Sequence, residues 1–197
     1  MTRIVLTEFV SLDGVIEEPR WTFDFDRGPD GMEFKRSELF ASDALLLGRV
    51  TYQGFAAAWP SMGTDDFGER MNSIPKYVVS STLPDAEATW GPTTVLRGDA
   101  VTEITKLKDQ AGGDLLVEGS SQLAQTLIKH GLVDEYRLML FPVVLGAGKR
   151  LFPDEVDAAM TLTLTEVKPD RDGVLLLTYH PREVTGPPAT PRPPAGW

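Results

Sequence analysis

The chain contains no cysteine and only two histidines, His130 and His180, which lie far apart. Without cysteine there is no disulfide, no thiolate metal ligand and no cysteine nucleophile, and two distant histidines do not build a histidine-rich metal centre. No metal site is expected. Cations are also scarce. Nineteen Lys and Arg stand against 29 Asp and Glu, a formal net charge of -10, which opposes non-specific binding to nucleic acid or to an acidic membrane surface. No apolar run approaches the length that crosses a bilayer. The opening residues reach Glu8 after a very short apolar stretch, unlike a secretory signal. Cytoplasm is therefore the expected compartment.

At 197 residues and 42% hydrophobic content the composition is that of one globular domain with a full core. Residues 3–10 read as a first strand. A turn over Ser11-Leu12-Asp13-Gly14 follows, and then Trp21, Phe23 and Phe25 interleave with Asp24 and Asp26. These aromatics either wall a pocket or cover the core edge. Residues 33–40 predict a short helix with Phe34, Leu39 and Phe40 inward and Lys35, Arg36 and Glu38 in water. Further strands are expected at 44–47, 76–80, 93–96, 114–118, 135–141, 161–167 and 174–179. Helices are expected at 50–58, after Asp99, and from the residues following 118 to Gly131. The Pro-, Gly- and Asp-rich stretch 59–73 predicts a long surface loop. Strands and helices alternate first and paired strands finish the domain. This order predicts an α/β fold with a mainly parallel sheet, flanking helices and an antiparallel C-terminal hairpin. From Pro181 six prolines fall within seventeen residues, so the domain is expected over 1–180 and a disordered tail over 181–197.

Three junctions carry the functional signal. Leu45-Leu46-Leu47-Gly48-Arg49-Val50-Thr51, Tyr77-Val78-Val79-Ser80-Ser81 and Leu115-Leu116-Val117-Glu118-Gly119-Ser120-Ser121 each run from a buried strand into small residues at a helix or loop start. Free amides at a helix start attract phosphate, and small residues let it approach the backbone. Several such strand ends suggest a dinucleotide. No G-x-G-x-x-G follows any strand, and Gly146-Ala147-Gly148-Lys149-Arg150 lacks the earlier glycine and the Ser/Thr of a P-loop.

In this order and spacing the junctions, together with Gly131-Leu132-Val133-Asp134-Glu135 and Pro142-Val143-Val144-Leu145-Gly146-Ala147-Gly148, resemble the dihydrofolate reductase-like family. The nearer likeness is to stand-alone relatives of the reductase domain of the bacterial bifunctional riboflavin-biosynthesis deaminase-reductase. The resemblance implies an NADPH-dependent reductase acting on a small substrate, nominally of the 5-amino-6-(5-phosphoribosylamino)uracil reductase type, and a homodimer. It places cofactor phosphates on Gly48, Arg49 and Thr51, the adenosine ribose near Ser80 and Ser81, the 2′-phosphate near Arg97, and the pyrophosphate on Gly119, Ser120, Ser121 and Gln122. Ser120 stands where the family commonly has a second glycine. Tyr52-Gln53-Gly54-Phe55 stands where riboflavin-pathway members usually carry a substrate-reading Asp, which counts against that pathway's intermediate.

Reduction by a nicotinamide also requires a proton. Glu118 and Asp13 are the candidate acids. Asp30, with Glu33 one turn on, falls where the folate enzymes keep their helix-borne acid. The competing readings are that Asp13 shapes a turn and Glu118 caps a helix. At the level of the whole protein, the alternatives are a non-catalytic dinucleotide- or flavin-binding module and a true dihydrofolate reductase.

Overall fold

The computed structural model describes residues 2–110, 112–152 and 159–182. The expected disordered tail lies, apart from Pro181 and Arg182, outside the described residues. In chain order the elements are β1 (Ile4–Ser11), α1 (Pro29–Ala41), β2 (Ser42–Gly48), α2 (Arg49–Met62), α3 (Asp66–Ser73), β3 (Lys76–Val79), β4 (Thr93–Leu96), α4 (Ala100–Asp109), β5 (Asp114–Glu118), α5 (Ser121–Lys129), β6 (Glu135–Phe141), β7 (Leu162–Pro169) and β8 (Leu175–Pro181).

The described strands form one eight-stranded sheet in the order β4-β3-β2-β5-β1-β6-β8-β7. The pairings from β4 to β6 are parallel, and β8 runs antiparallel to both β6 and β7. Helices cover both faces of the parallel part, which is why its strands are continuous apolar runs. Ile4, Leu6, Leu46, Leu115 and Val117 pack with Ile104 and Leu107 of α4 and Leu123 and Leu127 of α5. The alternate residues Val5, Leu45, Leu47 and Leu116 pack on the other face with Leu39, Tyr52 and Met71 of α1, α2 and α3. Each such fully buried side chain contributes about 1.5–3 kcal/mol, so a one-residue slip of any central strand would exchange two complete cores.

Two expectations are corrected. The stretch 59–73 is mostly helical: α2 continues through Pro60 to Met62, and α3 begins where Asp65 accepts a hydrogen bond from the Gly68 amide at 2.9 Å. Its composition is loop-like, but burial of Met71 and Ile74 holds it on the core. On α1 the inward face is displaced from the expected one. Glu38, one turn after the buried Phe34, is 2% exposed, whereas Phe40 is 42% exposed. The helix also starts earlier than expected, at Pro29, where the Gly28 amide donates to Asp170 Oδ2 at 3.2 Å.

Candidate functional site

Parallel strands present all their carboxyl ends along one edge of a sheet. Here β4, β3, β2, β5 and β1 end in sequence at Leu96, Val79, Gly48, Glu118 and Ser11. After β2 the chain turns into α2 on one face, and after neighbouring β5 it turns into α5 on the other. The crevice between such diverging connections is where open α/β sheets take their ligands.

At this crevice two helix N-termini meet. Neither Gly48 before α2 nor Ser120 before α5 makes a side-chain cap, so the first-turn amides of both helices have no capping oxygen and present their positive dipole ends to the same opening. Ser120 instead turns its Oγ across the crevice to accept the Gly48 amide at 2.8 Å. Gly119 (φ +58) and Ser120 (φ +67) are both left-handed. A Cβ at position 119 would lie 3.4 Å from Thr51 Cγ2, in a conformation that L side chains rarely adopt. The glycine thus lets the β5 turn close on the start of α2 and leaves backbone rather than side chain at the mouth. Arg49 and Gln122 are exposed, and Thr51 and Ser121 are half-buried beside them.

Farther along the edge the expected adenosine residues are nearby, with existing partners. Ser80 is 9% exposed and its Oγ accepts the amides of Thr82 (3.1 Å) and Leu83 (2.9 Å), so it shapes its own turn, while Ser81 is exposed. Arg97 donates to the Leu83 carbonyl at 2.8 Å and pairs with exposed Asp85 at 2.5 Å.

The three candidate acids have different surroundings. Asp13 accepts from Ser11 Oγ at 2.6 Å and from the amides of Gly146 (2.8 Å) and Leu145 (3.1 Å), which hold its carboxyl at about 2. This is the turn-shaping role: Asp13 staples the loop after β1 to the segment carrying Gly146 and Gly148. A Cβ on Gly148 (φ +118) would meet Val15 at 2.6 Å. Asp30 pairs with Lys168 at 2.7 Å and lines a cavity of about 210 Å³ between α1 and the antiparallel strands. Glu118 ends β5 facing α1, where its Oε1 lies 2.6 Å from Lys35 Nζ. It pairs with that lysine, and no cap on α5 comes from its side chain.

Lys35 belongs to an ionic chain on the α1 face of the sheet. Lys35 also meets Glu38 and donates to Thr7 Oγ1 at 3.2 Å; Glu38 is 3.4 Å from Arg137, and Arg137 is 3.8 Å from Glu135. Burial tends to lower the Lys35 ammonium, but Glu118 and Glu38 more than offset this and hold it above the usual lysine value. Burial pushes the Glu38 carboxyl up, against the pull of Lys35. Glu8, on β1, is 6% exposed, its Oε1 has no hydrogen-bond partner, and burial pushes its carboxyl well above the ordinary value. Lys35, Glu38, Arg137 and Glu8 were not among the expected site residues. The available signal was a charge at an inward position: Glu38 at i+4 from Phe34, and Glu8 inside an apolar strand.

The aromatic loop settles as a cover. Trp21 and Phe25 stand edge-on to Phe141 at 5.5 and 5.4 Å, with Phe9 on the same ring at 5.7 Å, and Phe23 is exposed. Arg27 and Lys35 lie 5.5 and 5.4 Å from the Phe9 ring.

A family model, the RibD C-terminal domain, matches residues 2–176, and the chain belongs to that family. It is 32% identical over 182 residues to the uncharacterized protein YyaP of Bacillus subtilis, covering 90% of this chain and 94% of that one. Solved structures share the fold. A Shewanella sp. PV-4 protein named for riboflavin biosynthesis has a TM-score of 0.75 at 20% identity, over 92% of this chain and 99% of the other. The Thermotoga maritima diaminohydroxyphosphoribosylaminopyrimidine deaminase/5-amino-6-(5-phosphoribosylamino)uracil reductase gives 0.66 at 16%, over 92% of this chain and 57% of the other. Dihydrofolate reductase from Enterococcus faecalis, complexed with NADP(H), gives 0.58 at 19%, over 92% and 97%. The dihydrofolate reductase-like architecture expected from the sequence is therefore the fold of this protein.

Proposed function

We propose that this member of the RibD C-terminal domain family is an NADPH-dependent reductase that transfers hydride to a small heterocyclic substrate. The observation that carries the reading is the pair of uncapped helix N-termini meeting at the crevice between β2 and β5. Such paired amides and dipoles suit a pyrophosphate. When bound, the cofactor supplies the hydride chemistry.

The chain's own residues divide the remaining work. The first-turn amides of α2 and α5, with Gly48, Arg49, Thr51, Gly119, Ser120, Ser121 and Gln122, would hold the phosphates. Ser80, Ser81 and Arg97 would meet the adenosine end, with Arg97 exchanging Asp85 for the 2′-phosphate. Thr7, Phe9, Lys35 and Glu118 lie beyond the phosphate turn, towards α1, and would face the reacting end. The aromatic cover of Trp21 and Phe25 would exclude water from it. Asp13 acts by holding the loop after β1 in place. A true dihydrofolate reductase is the weaker reading, because Asp30 is engaged by Lys168. A cytoplasmic homodimer belongs to the same proposal. The exposed Leu164 and Val167 on edge strand β7 offer apolar area to a second copy, and sedimentation equilibrium tests it.

The deciding experiment measures NADPH binding by fluorescence and NADPH oxidation with an aminopyrimidine, a dihydropterin, a quinone and an enone. Micromolar or tighter binding with turnover of one acceptor is the expected result. Tight binding without any turnover would establish a dinucleotide-binding module instead.

A further inference from the structure

We propose that Arg27 is a specificity-determining residue of the acceptor site, and that the double bond reduced there is conjugated to a carbonyl, as in an unsaturated lactam, an enone or a quinone. This rests on the reductase reading above and narrows its substrate to that class.

The register of the central strands places Arg27. Thr7 of β1 lies opposite Glu118, the last residue of β5. The next residue of β1 on that face, Phe9, therefore projects past the end of β5, level with the Gly119–Ser120 turn, and on this side it has no strand beside it. Phe9 is half-buried, and the Arg27 guanidinium stands over its ring at 5.5 Å. Arg27 ends the loop that lays Trp21 and Phe25 against Phe141. It is half-buried and makes no ion pair among the described residues, and the adjacent Asp26 is spent on Arg171 at 2.8 Å. An aromatic face holds a guanidinium without a counter-charge, which leaves the N–H fork to a ligand.

The other charges around this ring are engaged. Lys35, 5.4 Å from Phe9, is shared by Glu118, Glu38 and Thr7. Asp13 is held by Ser11, Leu145 and Gly146, and Asp30 by Lys168. Glu8 points to the opposite face of β1, that of Leu6 and Val10. The crevice thus offers an unpaired cation and no unpaired acid from among these residues.

That inventory decides between two kinds of acceptor. A C=N bond that takes hydride leaves its electron pair on nitrogen, which is strongly basic and needs an acid beside it. A C=C bond conjugated to C=O leaves the pair on oxygen, where a guanidinium stabilises the charge without giving up a proton. In the step, the hydride from NADPH forms a C–H bond at the far carbon of C=C–C=O. The C=C π pair moves to the next bond, the C=O π pair moves onto oxygen, and Arg27 donates hydrogen bonds to that oxygen. Solvent then protonates the enolate. The sum is NADPH, acceptor and one proton giving NADP⁺ and reduced acceptor.

The test uses the panel above. The enone and the quinone should be reduced, and the dihydropterin, whose accepting bond is C=N, should not. On the enone, Arg27→Ala should lose about 10²-fold in kcat with NADPH affinity unchanged, and Arg27→Lys should keep part of the rate. Ethylguanidinium added to Arg27→Ala should restore part of the loss, and neutral ethylurea of similar shape should not, which separates charge from packing. Reduction of the dihydropterin but of neither carbonyl acceptor, an Arg27→Ala rate equal to wild type, or equal rescue by ethylurea overturns the proposal alone. No NADPH oxidation by the wild type on any acceptor removes the reductase reading and this proposal with it.

Discussion

Glu118 and Lys35 form an ion pair of 2.6 Å that joins the end of β5 to α1 beside the Gly119–Ser120 turn. It gives the one expected acid that lies beside the crevice a cationic partner. It also places a cation among Glu118, Glu38 and Thr7 on the α1 face of the sheet.

Lys35→Met should therefore destabilise the fold. Both Glu118 and Glu38 lose their shared counter-charge, and breaking a buried pair from one side costs about 3–5 kcal/mol. The folded-state pKa of Lys35 is raised, so its contribution is fully present below the ordinary lysine value of 10.5 and constant across neutral pH. In the variant the Glu38 carboxyl, already pushed up by burial, loses the opposing pull of Lys35 and protonates more readily. The deficit should be largest at pH 7.5 and shrink towards pH 5 in urea melts. A deficit that does not change with pH would mean that packing of the lysine stem, and not its charge, was lost.

Asp13→Asn should lower thermal stability at neutral pH by loosening the loop after β1 from the Gly146 segment. The Asp13 carboxyl is depressed to about 2 from 3.8. Its stabilisation is present above 3.8 and disappears as pH falls through about 2. The melting-temperature gap between variant and wild type should close over that interval, as read by circular dichroism.

Arg97→Ala tests cofactor choice. A charge-assisted hydrogen bond to a 2′-phosphate is worth about 1.5–3 kcal/mol, so the variant should bind NADPH about tenfold or more weakly and NADH as wild type does. Titration of both cofactors by fluorescence measures this. Equal affinity of the wild type for the two would remove the 2′-phosphate role.

Gly119→Val places a β-branched side chain at φ +58 against Thr51. The strain should cost about 1–3 kcal/mol, leaving the protein folded by circular dichroism while NADPH binding is lost. Retention of binding would move the phosphates away from this turn.

Truncation after Arg182 should leave the melting temperature unchanged at low protein concentration. The sheet closes where the Arg182 amide donates to Thr161 O at 2.9 Å, and the proline-rich remainder offers little apolar area. A large drop in the scan would show that the tail packs.

Local sequence determined the strand runs, the helix start capped by Asp99, the parallel-then-antiparallel order and the small residues at the strand ends. These are readable because a buried strand must be apolar, a cap needs a side-chain oxygen, and a phosphate needs free amides. Charge placement was decided only by the tertiary structure. Asp13 became a clamp because Leu145 and Gly146 arrive beside it, and Glu118 gained a cationic partner because α1 lays Lys35 over it. Glu8 keeps a buried oxygen without a hydrogen-bond partner, and α1 begins at Pro29 beside Asp170 of the distant hairpin turn. A carboxyl's protonation depends on the charges and donors within a few ångströms, and here those come from strands and helices far away in the chain.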